Sequence, residues 1–527
     1  MRFNHSVTGV GVPVIGFLLL AANTILVSQP EISREKLTLL KVVAGIQFTF
    51  TNCADEIWSG YDLSTQPYIA YLSGEFVLYL NARHAPADFK PYPSDFPPLG
   101  TIAFIHEGPY RDLAGQFAFD FQIDSITTFA MGLPKSLLFS LENPSLVLLG
   151  STIHEGFHQY QHNHFGEIPW AREERYPILD TENTALASLE MHLLKDALKA
   201  RFDRNREKME TLLKEFVAVR EYRWEHSGRY VRKYEQGQEI NEGTARYVEM
   251  KALGCFLKLD STGISNPLFR KIKRDLSGMT IRKLLLDDME SRLHGLAVAP
   301  EDMLRNRIYP VGAALGFLLD TLDINWKTKF QAAGPDISFS GLLKDYFHLD
   351  STQLSAYLSQ AKSVYHYPEI RSSANKLIND YFAGYQKALA QFHQQQGTRI
   401  EIRLSNDGVQ RFRSSKEKKW IVENGGKLLC LHYNLYSLKS LKGNKLLLEI
   451  HDRALLDEND WKTRRKTVTF YTAQLTTILL DGNPITLRTD IERRFTKLKI
   501  EGDNFKFETE GEGTFSFNKD GIQVNLE

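Results

Sequence analysis

The chain has 527 residues, 43% hydrophobic and 24% charged, which is globular composition rather than disorder. Its 64 basic and 64 acidic residues cancel, leaving no electrostatic footprint for nucleic acid or an anionic surface. Length implies roughly three domains. The three cysteines, Cys53, Cys255 and Cys430, are far apart and lack a CxxC pair, which argues against a disulfide framework and against a thiolate metal site.

Residues 9–28 carry no charge and include Val14–Leu20, after a start whose only charged side chain is Arg2. Ala21, Ala22 and Ser28 offer cleavage points. Residues 1–28 therefore read as a secretory signal peptide or, uncleaved, as a membrane anchor; a buried helix is the third option. The first two imply an exported chain, whether periplasmic, extracellular or membrane-tethered. No later run is long enough to span a bilayer.

Residues 29–142 read as a mixed α/β part. Phe76–Leu80 and Thr101–Ile105 are short apolar runs between turn residues, and Gln116–Asp124 alternates, with Phe117, Phe119, Phe121 and Ile123 on one face. Residues 143–396 turn helical, with apolar spacing as in Leu186, Leu189, Leu193 and Leu194. The polar run Gln394–Gly397 reads as a linker. Residues 398–527 return to strands: Ile400, Ile402 and Leu404 alternate, and Asp481-Gly482-Asn483 and Lys519-Asp520-Gly521 signal hairpins. The expected class is α+β: a mixed sheet with a large helical part, then an accessory β-sandwich or barrel.

The chemistry concentrates at His154-Glu155-Gly156-Phe157-His158. Asn143-Pro144 predicts a helix start and the helix runs to about Gly166. Four residues of helix place His154 and His158 on one face, able to share a metal ion, with Glu155 beside it as general base. With thiolates excluded, the expected ion is zinc, and a third protein ligand is needed. His164 has the spacing of a third histidine, but Gln161 stands where a turning glycine is required. His162 lies too far along the axis. Glu182 and Glu190 fall on the next helix, expected to start near Asp180. Glu242, in Asn241-Glu242-Gly243-Thr244-Ala245, is the favoured ligand, with Glu182 as the alternative. Small residues after Glu242 would let its helix approach the metal helix. The competing reading of Glu242 is a solvated acidic stripe of Glu235, Glu239, Glu242 and Glu249. A second His-Glu-Gly, His106–Gly108, reads as a loop without a metal role.

Together the His154–His158 and Asn241–Ala245 segments resemble the gluzincin group of zinc peptidases. Its aminopeptidase-N-type branch follows HExxH with Asn-Glu-Gly-Phe-Ala, and the match implies Glu242 as third ligand. Thr244 replaces the aromatic residue, and the interval is longer. The chain is also similar to exported bacterial proteins of the peptidase MA type over about residues 50–350, through Glu56–Asp62, Tyr234-Glu235, Arg307–Ala314, Leu318–Asp320 and Trp326-Lys327. The resemblance implies a zincin-like catalytic region acting on peptide or protein. It also implies that an edge strand before the metal helix holds extended substrate, and that Tyr309 donates to the oxyanion. Tyr309 opens a helix in this reading; a core tyrosine is the alternative. Arg307 is expected to hold a substrate carboxylate. Arg220, Arg223 and Arg246 line the cleft or pair with surface carboxylates, and Trp58 and Tyr61 are packing residues. A zinc hydrolase of non-peptide amides or esters, and a non-catalytic binding protein, are the competing functions.

Overall fold

The computed structural model describes residues 32–526 apart from 112, 114–117, 124, 134–142, 261–264, 333–336, 416, 442–444 and 488–489. The signal-or-anchor expectation for residues 1–28 lies outside them.

The first element is a helix, α1 (Arg34–Ile57), capped by the Ser33 side chain, which accepts from Lys36 N. It is long and apolar enough to cross a membrane, with mean hydropathy 1.3, so the expectation of no later spanning run is corrected. Threonines break its apolar run in sequence. In the helix the Thr38 and Thr49 hydroxyls instead donate to the Arg34 and Gly45 carbonyls one turn back. Leu39, Leu40, Val43 and Ile46 are buried in the main core.

Strands β1 (Tyr68–Leu72), β2 (Phe76–Leu80), β3 (Lys90–Pro91), β4 (Ala103–Glu107), β5 (Ala118–Ile123) and β6 (Ile126–Gly132) form a sheet ordered β3-β4-β2-β1-β6-β5. Successive residues of β1 and β2 alternate between two cores: Tyr68, Ala70 and Leu72 face the helices, while Ile69 and Tyr71 pack with Phe89 and Tyr110. Both faces are covered, so these strands read as unbroken apolar runs. The expected alternating strand is β5, antiparallel to β6 at the sheet edge and in contact with the next helix, α2 (Pro144–His164). Ile123 is buried and Phe121 packs beside it; Gln116, Phe117 and Asp124 lie outside the described residues.

The helical part continues with α3 (Thr181–Phe202), α4 (Arg206–Ser227) and α5 (Arg229–Gln238). A five-residue π turn, Glu239–Gly243, leads into α6 (Thr244–Lys258). Then come α7 (Pro267–Asp275), α8 (Ile281–Val298), α9 (Arg305–Thr321), α10 (Trp326–Ala332), α11 (Phe339–Phe347), α12 (Ser351–Val364) and α13 (Tyr367–His393). Asp180 caps α3 as expected, accepting from Asn183 N at 3.0 Å. Cys53 on α1 is bonded to Cys255 on α6, which corrects the expectation against a disulfide. The two residues are 202 positions apart; only the packing of α1 on α6 makes them neighbours.

From Thr398 the chain is all strand, β7 (Thr398–Ser405) to β17 (Gly521–Leu526). The principal members are β8 (Val409–Ser414), β10 (Lys427–Ser440), β11 (Leu446–Asp460), β12 (Arg465–Thr472) and β16 (Phe505–Asn518). The pairings β16–β17–β7–β12–β11 return to β16, closing a ring, which is a barrel rather than two stacked sheets. Ile400, Ile402 and Leu404 point into it, and both expected hairpin turns are present, with Leu480 paired to Asn483 and Asn518 to Gly521. The barrel is docked tightly on the helices. Gly425, at φ 76°, sits where a Cβ would strike the Glu174 carbonyl, and Gly384 on α13 makes room for the Trp420 ring. The Ile421 amide donates to the Tyr381 hydroxyl at 2.7 Å.

Candidate metal centre

Helix α2 starts at Pro144, with Asn143 at the cap position but making no side-chain capping bond, and ends at His164, two residues before the expected stop. His154 and His158 share its inward face. Their Nε2 atoms are 3.1 Å apart, and Glu242 Oε2 lies 3.4 Å from His154 Nε2 and 3.3 Å from His158 Nε2. A tetrahedral ion with ligands at about 2.0–2.1 Å requires ligand atoms roughly 3.3 Å from one another. The triangle matches that spacing, and these three residues form a group able to hold a metal. Two histidines and one carboxylate suit zinc and leave a fourth position open.

Glu242 reaches this point from the π turn, an irregularity of the kind that concentrates at functional sites. Gly243 packs against Gly312 of α9: a Cβ on Gly243 would come 2.9 Å from Gly312 Cα. Gly243 thus serves close approach to α9, while the expected approach of α6 to the metal helix is also present, with Thr244 Oγ1 2.8 Å from Gln161 Nε2. Room on α2 comes from its own glycines. A Cβ on Gly150 would lie 2.5 Å from Glu249 Oε1, and one on Gly156 would lie 2.8 Å from the Tyr61 hydroxyl.

A second layer holds the imidazoles. Gln161 Nε2 donates to the Ile240 and Asn241 carbonyls at 3.0 and 2.8 Å and to Thr244 Oγ1 at 2.8 Å. Those carbonyls can only accept, so the amide orientation is determined and Gln161 Oε1 must accept the proton of His158 Nδ1, 2.7 Å away. In the neutral ring this tautomer puts the lone pair on Nε2, the atom that faces His154 and Glu242. Thr244, which stands in place of the aromatic residue of the aminopeptidase-N-type segment, supplies one of these acceptors. Glu249 Oε2 faces His154 Nδ1 at 3.4 Å. Glu242 and Glu249 are seven residues apart, about 10.5 Å of helix rise, and so grip the two edges of one ring. Burial lowers the His154 pKa, but the bonds to Glu242 and Glu249 outweigh it and hold the ring at about 9. Burial raises the Glu242 carboxyl, and the two histidines overcome this to hold it well below the ordinary range.

Glu155, His158, Glu242, Arg305 and Tyr309 line a cavity of about 390 Å³. The Tyr309 ring lies 5.5 Å from that of His154; burial and the nearby Glu242 carboxylate raise its hydroxyl pKa, so it remains a donor. Its helix begins at Arg305, four residues earlier than expected.

Several expected roles are corrected. Arg307 is fully buried and bonded to Glu235, out of reach of substrate. Arg220 and Arg223 are likewise buried, joining Glu190, Glu235 and Glu239 into a charged scaffold beneath the π turn. Glu190 is therefore unavailable as a ligand, and Glu182 bonds Tyr367 and Arg371 elsewhere. Arg246 bridges Glu249 and Asp288. The acidic stripe is not solvated: Glu235, Glu239, Glu242 and Glu249 are all buried. His164 stacks on Tyr160, and exposed His162 sits at the cavity mouth. His106 and Glu107 end strand β4 rather than lying in a loop, with Glu107 paired to Lys36. Trp58 and Tyr61 are packing residues, both buried against Phe157. Sequence reasoning assigned no role at the site to Gln161, Glu249 or Arg305. The first was detectable as a polar residue one turn beyond His158, the second as a carboxylate two turns beyond Glu242.

No family model, curated protein or solved structure matches the chain.

Proposed function

We propose that this chain is a zinc-dependent peptidase of gluzincin type. The observation that carries the reading is the triangle of His154 Nε2, His158 Nε2 and Glu242 Oε2, with Glu155 on the wall of the same cavity. Zinc bound there would supply a Lewis acid and lower the pKa of water to about 7. Glu155 takes the proton of the attacking water and delivers it to the leaving nitrogen. The Tyr309 hydroxyl donates to the carbonyl oxygen as it gains charge. Strand β5, at the sheet edge against α2, offers main-chain hydrogen bonds to an extended peptide.

Elemental analysis of purified protein tests the ligand set. One zinc per chain is expected, with loss in His154→Ala and Glu242→Ala; full occupancy in Glu242→Ala would remove it from the set. Glu155→Gln should keep zinc and lose at least about a hundredfold in hydrolysis of a peptide library. If a zinc-loaded wild type cleaves amides or esters but no peptide, the substrate class is the one to abandon.

A further inference from the structure

The seam between the helices and the barrel holds a second cavity of about 330 Å³. Arg305 lines both this cavity and the metal cleft, and Gln238 on its wall directly precedes the π turn that carries Glu242. The two cavities therefore adjoin across one side chain.

The seam cavity is electropositive and aromatic. Four arginines, Arg172, Arg305, Arg411 and Arg413, line it against two glutamates, Glu173 and Glu174. Arg411 is held from behind by fully buried Asp457 at 3.2 Å and is neutralised by Glu174 at 2.9 Å. Asp457 is itself anchored by Lys466 and by the Tyr436 hydroxyl at 2.9 Å. Arg413 lacks such compensation: its closest ion-pair approach, to Glu174, is 4.0 Å, and its buried Nη1 has no partner among the described residues. Trp461 on the same wall has an indole N–H in the same state, and the Arg172 guanidinium lies over its ring at 5.7 Å. Trp170, 67% exposed, adds a second indole. A buried donor lacking an acceptor calls for a partner from outside the chain, and a guanidinium and an indole N–H lining one cavity are donors that a carboxylate can accept from.

We propose that the seam cavity is a subsite for a carboxylate of the peptide substrate, bound by Arg413 and Trp461, through which the barrel selects substrates. This rests on the peptidase reading. The carboxylate comes either from the peptide C-terminus or from an acidic side chain.

The test is calorimetric titration of full-length, zinc-loaded Glu155→Gln protein with four versions of one short peptide: acidic residue and free C-terminus, Glu→Gln, C-terminal amide, and both changes. The doubly neutral peptide should bind about tenfold or more weakly, and whichever single change reproduces that loss names the source. Arg413→Gln should erase the preference. Trp461→Phe, which keeps a ring but removes the N–H, should weaken it severalfold and carries the test if Arg413→Gln does not fold. Equal affinity for all four peptides, no binding of any, or a preference that survives Arg413→Gln would overturn the proposal. With Glu155 intact and zinc loaded, Arg413→Gln should raise KM for the acidic peptide relative to wild type, with the loss confined to KM. Hydrolysis of acidic and neutral peptides with equal KM would sink the subsite and leave the peptidase. Acid-selective binding without hydrolysis of any peptide would remove the peptidase, and with it the substrate role of the cavity, and leave only a carboxylate-binding site.

Discussion

Gln161 is the residue on which the geometry of the metal helix most depends. It links His158 Nδ1 to two carbonyls of the π turn, so the ring that presents one ligand is tied to the backbone that presents another. Replacing it with leucine keeps the bulk and removes both links. Gln161→Leu should lower zinc affinity about 10–100-fold, measured by competition with a chelating dye. Unchanged affinity would show that His158 needs no such support. At this scale the histidines and Glu155 were legible because helical spacing alone puts His154 and His158 on one face. The arginines were not. Arg307 and Arg305 are two positions apart, yet one is bonded to Glu235 in the core and the other lines the cleft, and no local pattern separates them.

Among elements, the decisive one is the π turn between α5 and α6. Its position is locked from two sides: Glu239 bonds Arg220 at 2.7 Å within the buried scaffold, and Gly243 meets Gly312 on α9. A Cβ on Gly312 would collide with the Gly243 backbone, which cannot yield as a side chain can. Gly312→Ala should therefore cost about 1–3 kcal/mol, lowering Tm by several degrees. It should also weaken zinc binding, because the displaced π turn carries Glu242, which must stay in register with the two histidines on α2. An unchanged Tm in thermal unfolding would mean these backbones do not touch. The helical and strand regions were readable from periodicity, down to the Gln394–Gly397 linker between α13 and β7. Helix α1 was not, because its hydroxyls are satisfied only once the helix forms. Nor was the π turn, since an extra residue in a helix leaves no mark on composition.

In the whole molecule, distant segments close on one another. The Cys53–Cys255 bond ties the first described helix to the one that follows the π turn. Thiol titration of unfolded, unreduced protein should find one free thiol, that of Cys430, and three after reduction. Three without reductant would disprove the bond. The barrel, which carries no catalytic pattern in sequence, stands beside the metal cleft because Gly425 and Gly384 let it pack flush on the helices. By itself the sequence determined the two histidines and Glu155, the change from helix to strand near residue 398, and the hairpins of the barrel. Each of these is set by neighbours a few positions away. Only the tertiary structure decided the rest. Glu242 rather than Glu182 meets the histidines, Glu249 grips His154, and the cysteines pair. The barrel closes on itself and faces the cleft. These are contacts between residues tens to hundreds of positions apart, and their formation depends on how helices pack rather than on what any one of them contains.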